Sequence, residues 1–113
     1  MSQEPRSFIV NQEDFSRHNI FPGVDIATMA GEHMMISLVE FEPHAVVERH
    51  SHPHELMGYM LEGTATFEIG DESFEVGPGQ AWRIPGNVPH KVTAHDAPVK
   101  AIDLFHPIRD DYL

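Results

Sequence analysis

Arg49-His50-Ser51-His52-Pro53-His54-Glu55, followed later in the chain by Pro89-His90, is the stretch on which the reading of this protein turns. Three of the nine histidines fall within five positions. His50 and His52 are two apart, and on a β-strand residues two apart face the same side. A later strand carrying His90 to that face brings three imidazoles together. Neutral imidazole nitrogens suit a divalent transition metal. The first expectation is therefore a metal held inside a small barrel.

The surrounding sequence is written for strands. Met34–Val39, Leu56–Leu61, Thr64–Ile69, Ser73–Val76, Ala81–Ile84, His90–Thr93 and Val99–Phe105 are short and rich in β-branched, aromatic and aliphatic residues. Turn residues divide them: Glu62-Gly63, Gly70-Asp71, Gly77-Pro78-Gly79, Pro85-Gly86-Asn87 and Asp96-Ala97-Pro98. Phe67, Ile69, Phe74 and Val76 alternate with polar residues across Gly70-Asp71, the pattern of a half-buried antiparallel hairpin. Many short strands at regular spacing predict an all-β fold, a sandwich or a small antiparallel barrel. Towards the N-terminus, Glu13–His18 reads as a helical turn and Val24–Met29 as a further strand. No repeat, low-complexity tract or linker interrupts the 113 residues, so one domain is expected, with residues 33–106 as barrel core and 1–32 as an N-terminal extension.

Composition narrows the chemistry. There is no cysteine, which removes disulfides, thiolate metal sites and a cysteine nucleophile. With 18 acidic and 7 basic residues the formal net charge is −11. Nucleic acid and anionic membranes both require a basic patch, so neither is an expected partner. No apolar run is long enough to span a bilayer, and Met1-Ser2-Gln3-Glu4-Pro5-Arg6 has no signal-peptide h-region, so the plain expectation is a cytoplasmic protein. An anionic small molecule remains compatible with the charge, provided a metal and one or two arginines supply local positive potential.

At this point the sequence resembles the cupins. Their first motif falls on His44 through Gly63, containing His50-Ser51-His52, and their second on Gly79 through Pro89-His90. The resemblance covers residues 33–106 and implies a jelly roll with a metal in its mouth, held by His50, His52 and His90. Three departures stand out. His44 replaces the first glycine of motif one, Asn87 replaces a glycine of motif two, and Ala94 replaces its terminal asparagine. His and Asn tolerate the left-handed backbone that such glycines serve. A fourth departure concerns the metal. The motif expects a carboxylate, and relatives place Gln or His, where this chain has Leu56. Glu55 is adjacent, but a shift of one residue on a strand reverses the face. A local bulge turning Glu55 or His54 inward is the route by which Glu55 becomes the remaining ligand.

The ending Asp103-Leu104-Phe105-His106-Pro107-Ile108-Arg109-Asp110-Asp111-Tyr112-Leu113 narrows the resemblance to a group of single-domain cupins. That group includes the pectin-degradation type, which opens the ring of 4,5-unsaturated uronates. Arg49–Gly63 fits the same group. The resemblance implies a metal-dependent enzyme acting on a sugar-acid-like anion. Asp103 would move a proton, Arg109 would hold a carboxylate through both arms of its guanidinium, and Phe105 would wall the pocket. Ni, Fe, Mn, Co, Cu and Zn all satisfy the ligand type. Relatives commonly pair, and apolar residues on both faces of several strands need cover, so a homodimer is expected. Two other classes stay open: a metal- or ligand-binding barrel without catalysis, suggested by Leu56, and an iron-dependent dioxygenase, suggested by open coordination positions.

Each of these residues also has a plainer reading. The histidines can be surface groups, Glu55 a solvated carboxylate and His54 a rim residue. Asp103 can be a carboxylate bonded to backbone for structure, and Arg109 half of a surface ion pair worth little. Trp82 is within reach of the pocket but reads first as a core or interface anchor, and the methionines as core filler. His18, His33, His95 and His106 carry no second signal.

Overall fold

The structure is a computed structural model and describes residues 7–113. The stretch read above for a signal sequence, Met1–Arg6, lies outside the described residues. Ten strands follow in chain order: β1 Ser16–Phe21, β2 Val24–Ala30, β3 Met35–Phe41, β4 Val46–His50, β5 Glu55–Glu62, β6 Ala65–Ile69, β7 Glu72–Val76, β8 Ala81–Ile84, β9 His90–Ala94 and β10 Val99–His106. Short 3-10 turns lie at Gln12–Asp14 and Asp110–Tyr112. All pairings are antiparallel. One sheet has the order β1-β2-β3-β10-β5-β8, the other β4-β9-β6-β7. Among the described residues no helix is long and apolar enough to cross a membrane.

Alternation builds the core. Along β5, Leu56, Gly58 and Met60 are buried while Glu55, Met57, Tyr59 and Leu61 are exposed. Inward residues of both sheets meet in one cluster that includes Val24, Met35, Met60, Phe67, Trp82, Ile84, Val99 and Phe105. A fully buried aliphatic side chain such as Met60 contributes about 1.5–3 kcal/mol relative to an exposed one.

The N-terminal extension is part of the larger sheet rather than an appendage. β2 pairs with β3 along its length, and Val24, Ile26, Ala27 and Thr28 are buried. The helical turn expected over Glu13–His18 is confined to Gln12–Asp14, and Ser16–Phe21 is the edge strand β1. There the half-buried His18 and Ile20 alternate with the exposed Arg17 and Asn19, so burial against β2 overrides local preference. The hairpin over Gly70-Asp71 forms with Ile69 opposite Glu72. His44 (φ 64°) and Asn87 (φ 67°) occupy the left-handed region where the family motifs carry glycine.

A single rung of cross-strand partners spans the inner face of the larger sheet. Thr28 stands opposite Ser37, Ser37 opposite Asp103, Asp103 opposite Gly58, and Gly58 opposite Trp82. Directly opposite residues share a face. This rung brings most of the polar side chains of that wall to one level of the barrel.

Candidate metal centre

Two strand ends and one connector assemble the histidines. His50 is the last residue of β4 and stands opposite His90, the first residue of β9. His52 is not on a strand, as its i, i+2 spacing from His50 suggested; it lies in the connector before β5. The chain leaves the sheet after His50, and the loop returns His52 to the same pocket. Ring centroids are 4.5 Å apart for His50–His90, 5.0 Å for His52–His90 and 5.4 Å for His50–His52. One nitrogen from each ring lies within 4.8 Å of the others.

Hydrogen bonding selects the tautomer. His50 Nδ1 donates to the Glu48 carbonyl at 2.8 Å, His90 Nδ1 to the Val88 carbonyl at 2.9 Å and His52 Nδ1 to the His54 carbonyl at 3.1 Å. A carbonyl only accepts, so each Nδ1 carries the proton and each neutral ring offers a bare Nε2. Metal-ligating histidines are commonly oriented this way by the other ring nitrogen. His52 Nε2 is buried and has no hydrogen-bond partner among the described residues, which leaves its lone pair where a cation would sit. Burial holds His52 down at about 4, helped by the positive charge of Arg109 and the nearby His90 ring, against the stabilising His54 carbonyl. Burial likewise lowers His90. Both rings are therefore neutral at neutral pH, and the residues present fit a divalent transition metal.

Glu55 does not join this group. It is exposed at the start of β5, and the clustered ligand atoms belong to the three histidines. No bulge interrupts the pairing of Glu55 and Leu56 with β10, so strict alternation sends Leu56 inward and Glu55 outward. Leu56 lines the cavity as hydrocarbon where the family motif has a ligand. His54 is half-buried at the mouth, its ring 5.4 Å from His52 and 6.5 Å from Phe105.

The histidines open onto a cavity of about 60 Å³ lined mainly by apolar side chains. Asp103, Phe105 and Arg109 line it as well. Phe105 is buried with its ring edge-on to His52 at 5.8 Å. Asp103 accepts a hydrogen bond from Trp82 Nε1 at 3.0 Å. Burial pushes the Asp103 carboxyl up to about 7, although the Trp82 hydrogen bond and the Arg109 charge both pull it down. Gly58 makes the Trp82 contact possible: a Cβ there would sit 2.2 Å from the indole ring.

Arg109 is half-buried and already engaged. Its Nε and Nη2 donate to the two carboxylate oxygens of Asp111 at 3.3 and 2.8 Å, and its guanidinium stacks over Tyr112 at 4.0 Å. Burial alone would raise Asp111, but the hydrogen bonds and charge of Arg109 outweigh it and hold the carboxylate below its usual range. The arms that the family resemblance assigned to a substrate carboxylate are thus filled by Asp111, because both residues sit in the same tight C-terminal turn. That turn is pinned across the mouth by the Tyr112 carbonyl, which accepts from Thr28 Oγ1 and lies 3.0 Å from His18 Nε2.

Trp82, Tyr112, Asp111 and Ser37 were not singled out as site residues by sequence reasoning. One signal was available. A glycine in the middle of a strand, here Gly58, commonly marks a close approach of another group.

No curated protein matches the chain in sequence. Among solved structures, KdgF from Halomonas sp. is similar at 32% identity, over 96% of this chain and 100% of that one, with a TM-score of 0.84. An RmlC-like cupin from Shewanella frigidimarina shares the fold at 20% identity, over 96% and 97% of the two chains, with a TM-score of 0.86. The family profile described as Cupin domain matches residues 37–105, which run from Ser37 in β3 to Phe105 in β10 and include every histidine of the cluster. This chain belongs to the cupin family.

Proposed function

We propose that the protein is a metal-dependent cupin enzyme that opens or isomerises a sugar-acid-like anion by proton transfer, with 4,5-unsaturated uronates as the substrate class. The observation that carries this reading is one cavity lined by three Nε2-presenting histidines and by a carboxyl group poised at about 7. The similarity to KdgF and the Asp103–Leu113 ending support it.

His50, His52 and His90 would hold the metal, which when bound supplies Lewis-acid polarisation of substrate oxygens. Ring opening of an unsaturated uronate breaks the bond between the anomeric carbon and the ring oxygen. The anomeric hydroxyl loses a proton and C4 gains one, so no oxidant is consumed. The step needs a group that takes a proton and returns it near neutral pH, and Asp103 meets that requirement. Trp82 orients its carboxyl. Phe105 excludes water from one side, and Arg109 provides positive potential for a carboxylate.

The test is turnover of unsaturated uronates by metal-loaded protein. Activity abolished by EDTA and restored by metal supports the reading. Inactivity across the uronates in a sample with full metal occupancy overturns it.

A second reading, a binding barrel without catalysis, is favoured by Leu56 at the usual ligand position. It predicts tight uronate binding without turnover. We also infer a cytoplasmic homodimer. Met57, Tyr59, Leu61 and Leu104 are exposed on the outer face of the larger sheet and would be covered by a second copy. Light scattering that gives a monomer overturns the dimer.

A further inference from the structure

Ser37 sits in the rung that carries Asp103, and it is 1% exposed. Its Oγ has no hydrogen-bond partner among the described residues. Thr28, its other neighbour on the rung, differs: the Thr28 hydroxyl is spent on the Tyr112 carbonyl. A buried hydroxyl left unpaired costs about 1–3 kcal/mol. Serine here is therefore a poor choice for folding alone, since alanine would fill nearly the same volume without that cost. Ser37 lines the same cavity as the three histidines. Beside it, Asp103 has one oxygen, Oδ1, taken by Trp82.

We propose that Ser37 and the Asp103 oxygen not bonded to Trp82 form a hydroxyl-binding subsite in the cavity, which takes the polyol edge of a ligand whose acidic group lies elsewhere in the pocket. A hydroxyl is the group that both donates and accepts. It donates to the open Asp103 oxygen and accepts from Ser37 Oγ–H, which satisfies all three groups at once. A ligand carboxylate fits poorly there, because it would face the Asp103 carboxylate. The subsite therefore sets orientation: the hydroxyl-bearing edge enters towards Ser37, and the carboxylate remains near the histidines and Arg109. The cavity is narrow, with room for a few water molecules, so an edge rather than a whole ring reaches this depth. This inference deepens the sugar-acid reading and rests on it for the identity of the ligand.

Zinc-loaded wild type and Ser37→Ala are titrated by calorimetry with D-galacturonate and with cyclohexanecarboxylate, an acid of similar ring size without hydroxyls. Thermal melts and high-resolution crystal structures of both proteins accompany the titrations. The expected result is about tenfold weaker galacturonate binding in Ser37→Ala, with cyclohexanecarboxylate unchanged and a melting temperature equal to or above wild type. Equal weakening of both acids, unchanged galacturonate affinity, or a lower melting temperature overturns the subsite. If wild type binds neither acid, the uronate reading is decided separately, by turnover of the unsaturated uronates. The crystal structures then decide the subsite. A solvent oxygen bridging Ser37 and Asp103 in wild type and lost in Ser37→Ala upholds it, and its absence in wild type overturns it.

Discussion

The indole of Trp82 reaches the carboxylate of Asp103 across Gly58, on the strand between them. Gly58 stands opposite both residues in the sheet, and the Nε1–Oδ1 distance is 3.0 Å. Any side chain at position 58 would occupy the space of the ring. Three strands thus cooperate to place one carboxyl group: β10 carries it, β5 leaves a gap and β8 fills that gap with a donor.

Gly58→Ala tests this arrangement. Its new methyl must displace the Trp82 ring, and overpacking of this kind costs about 1–3 kcal/mol. Denaturant unfolding of the variant should show a loss in that range, together with loss of the ordered Asp103–Trp82 pair. Unchanged stability would mean that the ring has another place to go.

Asp103 has a distinctive pH signature. Its carboxyl is held at about 7 in the folded chain, against 3.8 ordinarily. Between those values the folded state keeps a proton that the unfolded state has released. Stability from this group therefore falls as pH rises from about 4 to 7. In metal-free protein, Asp103→Asn should match wild type near pH 4 and exceed it above pH 7 by on the order of 2–4 kcal/mol. A constant difference across that range would place the carboxyl at an ordinary value.

His52 works in the opposite sense. Its folded value is about 4 against 6.5 ordinarily, so the unfolded state takes up the proton first as pH falls. The stability it contributes is present above 6.5 and is lost on acidification towards 4. Metal affinity of the folded site should weaken only as pH approaches about 4, where the folded His52 itself takes up a proton and the ligand lone pair is consumed. Metal content per chain for wild type and His52→Ala, purified without a His tag, checks the site itself. Near-stoichiometric transition metal in wild type should be lost in the variant.

Leu56→Gln adds a ligand where the inward position now carries hydrocarbon. The expected gain in metal affinity is tenfold or more, read by competition with a chelator. Glu55→Gln should leave affinity unchanged, since Glu55 faces solvent. A loss with Glu55→Gln would mean that the chain rearranges around the metal.

Much of this protein was legible in its sequence, for reasons that residue by residue are local. Strand alternation and turn residues marked Ala81–Ile84 and the Gly70-Asp71 hairpin, because period-2 burial and tight turns are encoded within a few positions. His44 and Asn87 announced left-handed turns through their own backbone tolerance. The histidine cluster was visible because its members carry distinctive chemistry at short spacing. Tertiary structure decided what depended on distant partners. Ser16–Phe21 became a strand because β2 offered an edge to pair with. Glu55 was turned outward by an unbroken register with β10. Arg109 was committed to Asp111 by the C-terminal turn, and the Ser37 hydroxyl was left without a partner among the described residues by its position in a rung drawn from several strands. A sequence states which side chain each strand carries, but the neighbour it meets is set by register between segments far apart in the chain, and only the folded barrel fixes that register.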